Sequence, residues 1–457
     1  MQRRTTLLLA GLGLAVVLFA AATFGFTRGD SGRDDATAAT DVIVASGAAD
    51  GIRTARGASL DDLIANLQAR LKTTPKDHVA WATLGIAYVQ QAKVTVNPDF
   101  YPKAEGALQK SLDLGVEDNY LVYAGLSALA SARHDFARAK DFAEQGLAIN
   151  SYNALLYGAL SDAEVQLGDY EAAFAAVQKM VDLSPDTASL SRASYTWELR
   201  GDIPKATELM QRALADAPTA NDRAFANVFL GELAFNAGDP NTTLQYAIDA
   251  LAASPDDPAA LAVRAKAEAA LGQYETALDH YAAVVDRAPE PTYLIEYGEL
   301  LEFLGRDDEA KVQYALFDTV QQLFSANGVE PDAGPTLFIA NHGDPKVALT
   351  DAETGISTRP FIVMHDAHAW ALHRNGRDDE ALVAIGKAMQ LGTPNALFHF
   401  HAGMIHYSLG DLAAARDELA TALSINPYFN VLDARVAQQT LDEINAQLEP
   451  ASVEVSS

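Results

Sequence analysis

The stretch GDYEAAFAAVQKMVDLSP, residues 168–185, decides the fold of this chain. It opens on a glycine, continues with apolar residues at i, i+3, i+4 and i+7, and ends on a proline. Glycine supplies the left-handed cap between two helices, apolar residues at this spacing form one face of a helix, and proline stops that helix. The stretch therefore predicts a corner followed by an amphipathic helix that buries one face.

The same order recurs along the chain from about Ser59 onwards. One short residue in the second helix of each unit marks the register, and nine of the ten are alanine: Ala104, Ala139, Ala173, Ala206, Thr243, Ala277, Ala310, Ala348, Ala381 and Ala415. A glycine precedes eight of them by five positions: Gly168, Gly201, Gly238, Gly272, Gly305, Gly343, Gly376 and Gly410. His134 takes this position in the second unit. Because one helix pair buries only part of its apolar surface, such units must stack to close a core.

This pattern resembles the tetratricopeptide repeat, a helix–turn–helix of about 34 residues. The resemblance covers roughly residues 78–430 and implies an all-α, right-handed solenoid of about ten units. The first unit matches the family pattern most fully, at Trp81, Leu84, Gly85, Tyr88 and Ala104. It also carries an insertion around Lys93–Phe100, and the unit at about 329–361 is degenerate and rich in Gly, Pro and Asp.

The sequence outside the repeats divides into shorter segments. Residues 28–58 are rich in Gly, Ala, Ser, Thr and Asp and are predicted to form a flexible linker, in which Val42-Ile43-Val44 is the one candidate for local order. Capping helices are predicted at residues 59–77 and 431–448, and a disordered tail at 449–457.

Residues 1–27 predict a signal-anchor or a signal peptide. Arg3 and Arg4 precede a mostly apolar stretch, Leu7–Phe26, which at about 1.5 Å per residue spans roughly 30 Å as a helix. Ala20-Ala21-Ala22 offers a signal-peptidase site, but the apolar stretch continues beyond it, which favours an uncleaved anchor. The arginines favour a cytoplasmic N-terminus, so the repeats are expected outside the cytoplasm, on the inner membrane or, after cleavage, periplasmic or secreted.

Composition excludes several classes of function. The 457 residues carry 33 Lys+Arg against 61 Asp+Glu, a net charge of −28, which disfavours nucleic-acid binding. The absence of cysteine removes disulfides, thiolate metal sites and cysteine nucleophiles. No GxSxG, phosphate-binding loop or HExxH motif occurs, so neither catalysis nor a cofactor is expected.

The first helices of stacked units line a concave face, which is the default binding surface of such a solenoid. The register predicts a peptide groove lined by Tyr195, Glu198, Phe225, Val228, Glu232, Phe235, Asn236, Ile295, Glu299, Glu302, Phe303, Trp370, Phe400, Met404 and Tyr407. Apolar and acidic residues dominate this set. A groove of this kind suits an extended or helical partner segment with apolar anchors and some positive charge.

A histidine cluster supports an alternative function, periplasmic metal handling. Six histidines fall in two neighbouring units: His365, His368, His373, His399, His401 and His406. His399 follows His365 by 34 residues, so stacking would bring their helices side by side. Imidazole with a nearby carboxylate suits Zn, Ni or Cu, although packing between helices explains the same residues without a metal.

The C-terminal run ALFHFHAGMIHYSLGDLAAARDELATALSINPYF, residues 396–429, resembles the closing repeats of bacterial exported or membrane-associated tetratricopeptide repeat proteins. The resemblance implies a scaffold of the bacterial envelope that binds a protein or peptide partner. It names no particular partner or complex.

Overall fold

The structure, a computed structural model, describes residues 42–43, 53–54 and 60–448. The predicted anchor or signal peptide, the predicted C-terminal tail and most of the predicted linker lie outside these residues. Two short strands, Val42–Ile43 (β1) and Arg53–Thr54 (β2), pair in antiparallel fashion.

Residues 60–448 contain 22 α-helices and one 3-10 helix, Pro98–Phe100. The first eleven are α1 Leu60–Thr73, α2 His78–Thr95, α3 Tyr101–Asp113, α4 Tyr120–Ala132, α5 Phe136–Ile149, α6 Ala154–Gln166, α7 Tyr170–Leu183, α8 Thr187–Leu199, α9 Ile203–Ala215, α10 Ala220–Asn236 and α11 Pro240–Ala253. The others are α12 Pro258–Ala270, α13 Tyr274–Arg287, α14 Pro291–Phe303, α15 Asp307–Ala326, α16 Ala333–His342, α17 Pro345–Thr358, α18 Ile362–Arg374, α19 Asp378–Ala388, α20 Ala396–Ser408, α21 Leu412–Ile425 and α22 Asp433–Leu448. Within this part of the chain, each helix is too short or too polar to cross a membrane.

The helices α2 to α21 form ten consecutive antiparallel pairs, here called units 1–10. The ten residues that mark the sequence register all lie in the second helix of a pair, and none is more than 2% exposed. Each small residue lets the first helix of its unit approach closely, as predicted. The prediction of an all-α solenoid of repeated helix pairs is confirmed, with α1 packed on α2 at one end and α22 packed on α21 at the other.

A corner joins the two helices of each unit, and its glycine does what the sequence predicts in seven of eight units. These glycines have φ between 71° and 79°, the left-handed region that side chains other than glycine rarely adopt. His134 replaces glycine in unit 2 with φ 62°. Gly343 is the exception, because its φ is −114° at the end of α16, which is only ten residues long. The expectation of a left-handed cap at Gly343 is therefore wrong.

The solenoid folds back on itself, so that units 7–10 pack edge to edge on units 2–5. We call units 2–5 the N-terminal layer and units 7–10 the C-terminal layer. Corners of the N-terminal layer contact the loops that follow successive units of the C-terminal layer. Four hydrogen bonds join the two layers, one for each successive unit. They are His134 Nδ1 with Glu330 O, Ile362 N to Tyr170 Oη, Thr393 Oγ1 to Leu199 O, and Asn426 Nδ2 to Phe235 O. The paired residues are 196, 192, 194 and 191 positions apart in the sequence, in that order.

The two layers share a hydrophobic core as well as hydrogen bonds. One buried cluster joins Tyr170 and Leu199 of the N-terminal layer to Ile362 and Phe398 of the C-terminal layer. These residues bury apolar surface that an open solenoid would leave in water, at about 25 cal/mol per Å². The contact between the layers is therefore part of the core of the protein.

Arg359 is the most deeply buried charge in the contact between the layers. Its side chain is 0% exposed, and its Nη2 donates to Asp332 Oδ1 at 2.5 Å and to Pro331 O at 3.0 Å. The guanidinium lies 5.7 Å from the ring centroid of Phe136 and 5.5 Å from that of Phe361. Burial opposes the ionisation of Asp332, but Arg359 outweighs it and lowers the pKa of that carboxyl. Arg359 thus ties unit 2 to the loop after unit 7 and to the end of unit 8.

Candidate functional site: the central cavity

The first helices of units 4–7 face a cavity of about 320 Å³ on the inner side of the solenoid. Val363, at the start of α18 in the C-terminal layer, closes it from the opposite side. We call this space the central cavity. Its wall is formed by Ser191, Ser194, Tyr195, Glu198, Met210, Val228, Phe229, Glu232, Leu233, Asn236, Ala259, Ala262, Val263, Lys266, Thr292, Tyr293, Glu296 and Val363. The return of the chain thus turns part of an open concave face into a partly enclosed space.

One lysine forms ion pairs with two of the carboxylates in the central cavity. Lys266 Nζ lies 3.1 Å from Glu232 Oε1 and 3.2 Å from Glu296 Oε1. Burial disfavours the charge on Lys266, but these two carboxylates outweigh it and raise the pKa of the lysine above its ordinary value. Tyr281 Oη also donates to Glu296 Oε2, at 3.2 Å. These contacts link α10, α12, α13 and α14, although burial still raises the pKa of Glu296.

Glu198 is the third carboxylate of the central cavity, and its environment differs. Asn236 Nδ2 donates to its Oε1 over a long 3.4 Å, and it forms no ion pair with any residue between 60 and 448. Burial raises the pKa of Glu198 to about 7, and the neighbouring Glu232 adds to the shift. Desolvation of an anion without a cation beside it favours the protonated form. With all groups ionised, three carboxylates and one ammonium give the wall a charge of 1 − 3 = −2.

A second cavity, of about 300 Å³, lies between the layers next to the first one. We call it the interlayer cavity; Thr292 belongs to the walls of both. Its wall is mostly apolar and includes Val89, Phe324 and Ile339, with Lys93 among the polar residues. Burial lowers the pKa of Lys93, although Glu290 partly offsets this effect. The two cavities together offer an apolar space beside an acidic one.

The structure places five of the residues predicted for the peptide groove in the wall of the central cavity. They are Tyr195, Glu198, Val228, Glu232 and Asn236. All belong to units 4 and 5, where the inner ends of α8 and α10 face the enclosed space.

The remaining ten predicted groove residues do not line the central cavity. Five are buried in packing, with exposures of 9% or less: Phe225, Phe235, Glu299, Trp370 and Phe400. The other five are half-buried against neighbouring helices: Ile295, Glu302, Phe303, Met404 and Tyr407. The physical reason differs between units: Phe225 packs inside the N-terminal layer, Trp370 and Phe400 pack inside the C-terminal layer, and the segment leading into α22 covers unit 7. Asn430, for example, donates to Glu299 Oε2 at 2.8 Å, and Val431 packs on the cluster around Leu300.

Lys266, Glu296 and Val363 are among the cavity residues that the sequence prediction did not include. Lys266 follows Glu232 by 34 residues, as Glu232 follows Glu198, so a charge reversal at the repeat interval could have revealed the contact. No residue of unit 6 was included in the predicted groove. Nothing local marks Val363, because it reaches the cavity only through the return of the chain.

Four of the six histidines predicted as metal ligands each have a different carboxylate as neighbour. His373 Nδ1 bonds to Asp378 at 2.6 Å, and His399 Nδ1 to Glu418 at 2.6 Å. The buried His401 bonds to Asp366 at 2.7 Å and stacks on Trp370, with ring centroids 4.2 Å apart. His406 Nδ1 lies 3.9 Å from Asp411.

Burial lowers the pKa of His365 to about 4 and also lowers that of His368. Within residues 60–448, no three His, Asp or Glu side chains are grouped so that they could hold a metal ion. The six histidines therefore do not come together as the ligand cluster that the metal alternative requires. They pack between helices instead.

Comparison with protein families identifies repeats of one kind. A tetratricopeptide repeat model matches residues 230–291, 263–315 and 367–428, and a second tetratricopeptide repeat model matches residues 154–187. These matches fall on units 3, 5–7 and 9–10 of the structure. No curated protein matches the chain.

Solved structures similar to the chain include three repeat proteins of low identity. A tetratricopeptide repeat protein from Parabacteroides merdae is 19% identical, with 57% of this chain and 98% of that chain covered and a TM-score of 0.33. Pseudomonas aeruginosa pilF is 16% identical, with 49% and 97% covered and a TM-score of 0.36. The human IFIT1 dimer with PPP-AAAA is 11% identical, with 80% and 86% covered and a TM-score of 0.44.

Proposed function

We propose that this chain, which carries tetratricopeptide repeats, is an adaptor that binds a segment of a partner protein in the central cavity. Scaffolds built from this repeat are suited to protein–protein interaction. The observation that carries the proposal is the cavity of about 320 Å³ on the inner face of four consecutive units. Its wall combines apolar and charged side chains, which is the composition of a specific binding pocket.

The adaptor is proposed to act by binding alone. Proteins of this repeat family generally work as scaffolds, and the charged groups of the central cavity fit that role. Lys266 is engaged by two carboxylates, and the serines Ser191 and Ser194 have no histidine beside them in the cavity wall. A nucleophilic hydroxyl needs to donate to a side-chain base, whereas the hydroxyls of Ser191 and Ser194 donate to the backbone oxygens of Ala188 and Ala206.

A site-specific photo-crosslinker tests the binding proposal in cells. A crosslinking amino acid at Asn236, in the cavity wall, should capture a partner, whereas the same group at Gln178, exposed on the outer helix α7, should not. Filling the cavity through Ala262→Phe should abolish capture at Asn236. Identical adducts at both positions, or adducts that survive Ala262→Phe in a folded protein, would contradict binding in the cavity.

The repeats are proposed to lie outside the cytoplasm, held at the bacterial inner membrane by residues 7–26. The support is the apolar stretch after Arg3 and Arg4, together with the resemblance of residues 396–429 to exported proteins of this kind. Cleavage after the stretch would instead release a periplasmic or secreted protein. A reporter fused after Ser457 should be active outside the cytoplasm, and activity only in the cytoplasm would refute this location.

A further inference from the structure

We propose that the central cavity recognises one basic side chain of the bound segment, a lysine or an arginine, through the carboxylate of Glu198. This inference rests on the proposed function and specifies the chemistry of the partner at that site. It goes beyond a general preference for positive charge, because it assigns one carboxylate and one side chain.

The first argument is the distribution of partners inside the central cavity. Glu232 and Glu296 share Lys266, at 3.1 and 3.2 Å, so both are already paired. Glu198 has Asn236 as its hydrogen-bond donor, at 3.4 Å, and no cation within residues 60–448. Glu198 is half-buried, and a carboxylate removed from part of its water without a cation gains when a ligand supplies the opposite charge. Glu198 is thus the acceptor that a bound cation would complete.

The second argument is the shape and polarity of the space around Glu198. Tyr195, Val228 and Phe229 lie in the same wall and offer apolar surface for the aliphatic stem of a basic side chain. Thr292 belongs to this wall and also to the wall of the interlayer cavity, which is mostly apolar. A segment with one basic residue next to apolar residues therefore matches both cavities, whereas an acidic segment would face a wall of charge −2.

The third argument is the effect of burial on Glu198 itself. Burial raises the pKa of Glu198 to about 7. Near neutral pH, uptake of a proton therefore removes the uncompensated charge when no ligand is bound. A bound ammonium or guanidinium would replace that proton and return the pKa towards its ordinary range. Removing the charge should therefore weaken binding without weakening the fold.

Binding of three short peptides to the full-length chain tests the assignment. The probes are acetyl-Leu-Lys-Leu-amide, its norleucine analogue and its glutamate analogue, measured by calorimetry at pH 8. The lysine peptide should bind at least tenfold more tightly than the other two. Glu198→Gln should abolish this preference, whereas Glu171→Gln, on the exposed surface of α7, should leave it unchanged.

Two outcomes overturn the cation site: equal affinity for the lysine and norleucine peptides, or an unchanged preference in Glu198→Gln. Thermal denaturation provides the folding control, and Glu198→Gln should be at least as stable as the parent at pH 8. Crosslinking at Asn236 separates the two proposals. Capture that persists undiminished in Glu198→Gln leaves the adaptor intact and removes the cation site, whereas loss of all capture in the parent removes the adaptor.

Discussion

The corners of units 3–5 and those of units 6, 7, 9 and 10 have the same backbone conformation but different neighbours. A Cβ atom at Gly201 would lie 2.7 Å from the carbonyl oxygen of Gly392, and one at Gly168 would lie 2.9 Å from that of Pro360. At Gly272 and Gly305 the same atom would meet nothing within 4 Å. We call the first set closed corners and the second set open corners. Glycine thus allows the left-handed turn at both closed and open corners. Only at the closed corners does its lack of a side chain also allow the two layers to pack closely.

The difference shows that one sequence signal has two structural uses. All these glycines precede a helix by the same spacing and have positive φ. The closed corners exist because the accumulated rotation of about five units brings the chain back beside itself. That rotation is a property of the whole stack, and no single corner reveals it.

The largest expected effect on stability comes from a comparison of two arginines. Arg359 is buried in the contact between the layers, and Arg377 is exposed at an open corner. Arg359→Met should cost about 3–5 kcal/mol of unfolding free energy, because it leaves Asp332 buried without its cation. Arg377→Met removes exposed pairs with Glu380 and Glu353 and should leave stability unchanged. Urea denaturation measures both. Equal losses in the two variants would mean that the edge contact contributes no stability of its own.

Two glycine-to-alanine variants separate two contributions to stability. One is the free energy of placing a side chain on a left-handed backbone, and the other is the free energy of disturbing the packing between the layers. Gly272→Ala should lose about 1–2 kcal/mol, the penalty of a left-handed backbone with a side chain. Gly201→Ala should lose roughly 1–3 kcal/mol more, because its methyl group collides with the backbone of the C-terminal layer. The quantity to measure is the difference between the two variants. A difference near zero would show that the layers separate easily in solution.

Two asparagines in similar loops test the hydrogen bonds between the layers. Asn426 and Asn150 both follow an isoleucine and precede a tyrosine by two positions, and both accept from the backbone of that tyrosine. Asn426 also donates to Phe235 O across the layers. Asn426→Ala should therefore cost about 1–2 kcal/mol more than Asn150→Ala, since a buried carbonyl loses its donor. Equal effects on thermal stability would confine the role of Asn426 to its own loop.

The smallest effect on stability at neutral pH is expected at His134. This residue forms the corner of unit 2, which has no glycine but also contacts the C-terminal layer. Its Nδ1 bonds to Glu330 O, so His134→Asn, which tolerates the left-handed backbone, should cost about 1 kcal/mol at pH 7.

Acid should reverse the ranking of His134→Asn and the parent. Burial, with Arg359 in support, lowers the pKa of His134 from 6.5 to about 4. The native state then binds fewer protons than the unfolded state between those values, so stability is lost as pH falls from 6.5 to 4. The His134→Asn variant should not lose this stability. As pH falls, the parent should therefore lose up to about 1.4 kcal/mol more unfolding free energy per pH unit than the variant. Parallel stability curves from pH 7.5 to 4.5 would contradict the burial of His134 in the folded protein.

The repeat pattern was sufficient to predict the units, because the register residues are decided by local packing. All ten are buried between the two helices of their own unit, as their small size requires. Gly343 shows the limit of this reasoning even locally, because its degenerate unit ends the first helix without a left-handed cap.

The candidate site could be predicted only where units remain open to the inner space. Glu198 and Asn236 lie in the cavity wall because α8 and α10 face the central cavity, whereas packing in the C-terminal layer buries Trp370 and Phe400. Which inner faces become covered depends on the pitch of the superhelix. Small rotations between neighbouring units set that pitch. These rotations cannot be predicted from the repeat pattern of a single sequence.

The return of the chain also changes how the protein should fold and unfold. An ordinary repeat array behaves as a line of nearest neighbours, so its ends fray and whole repeats can be deleted or added. Here the hydrogen bonds over 191–196 residues add contacts of very long range, which raise the contact order and couple distant repeats. Deletion of unit 6, which lies between the two layers, would shift every partner in this set by one repeat. The number of repeats between the layers is therefore fixed by geometry, in a family where repeat number is otherwise free to vary.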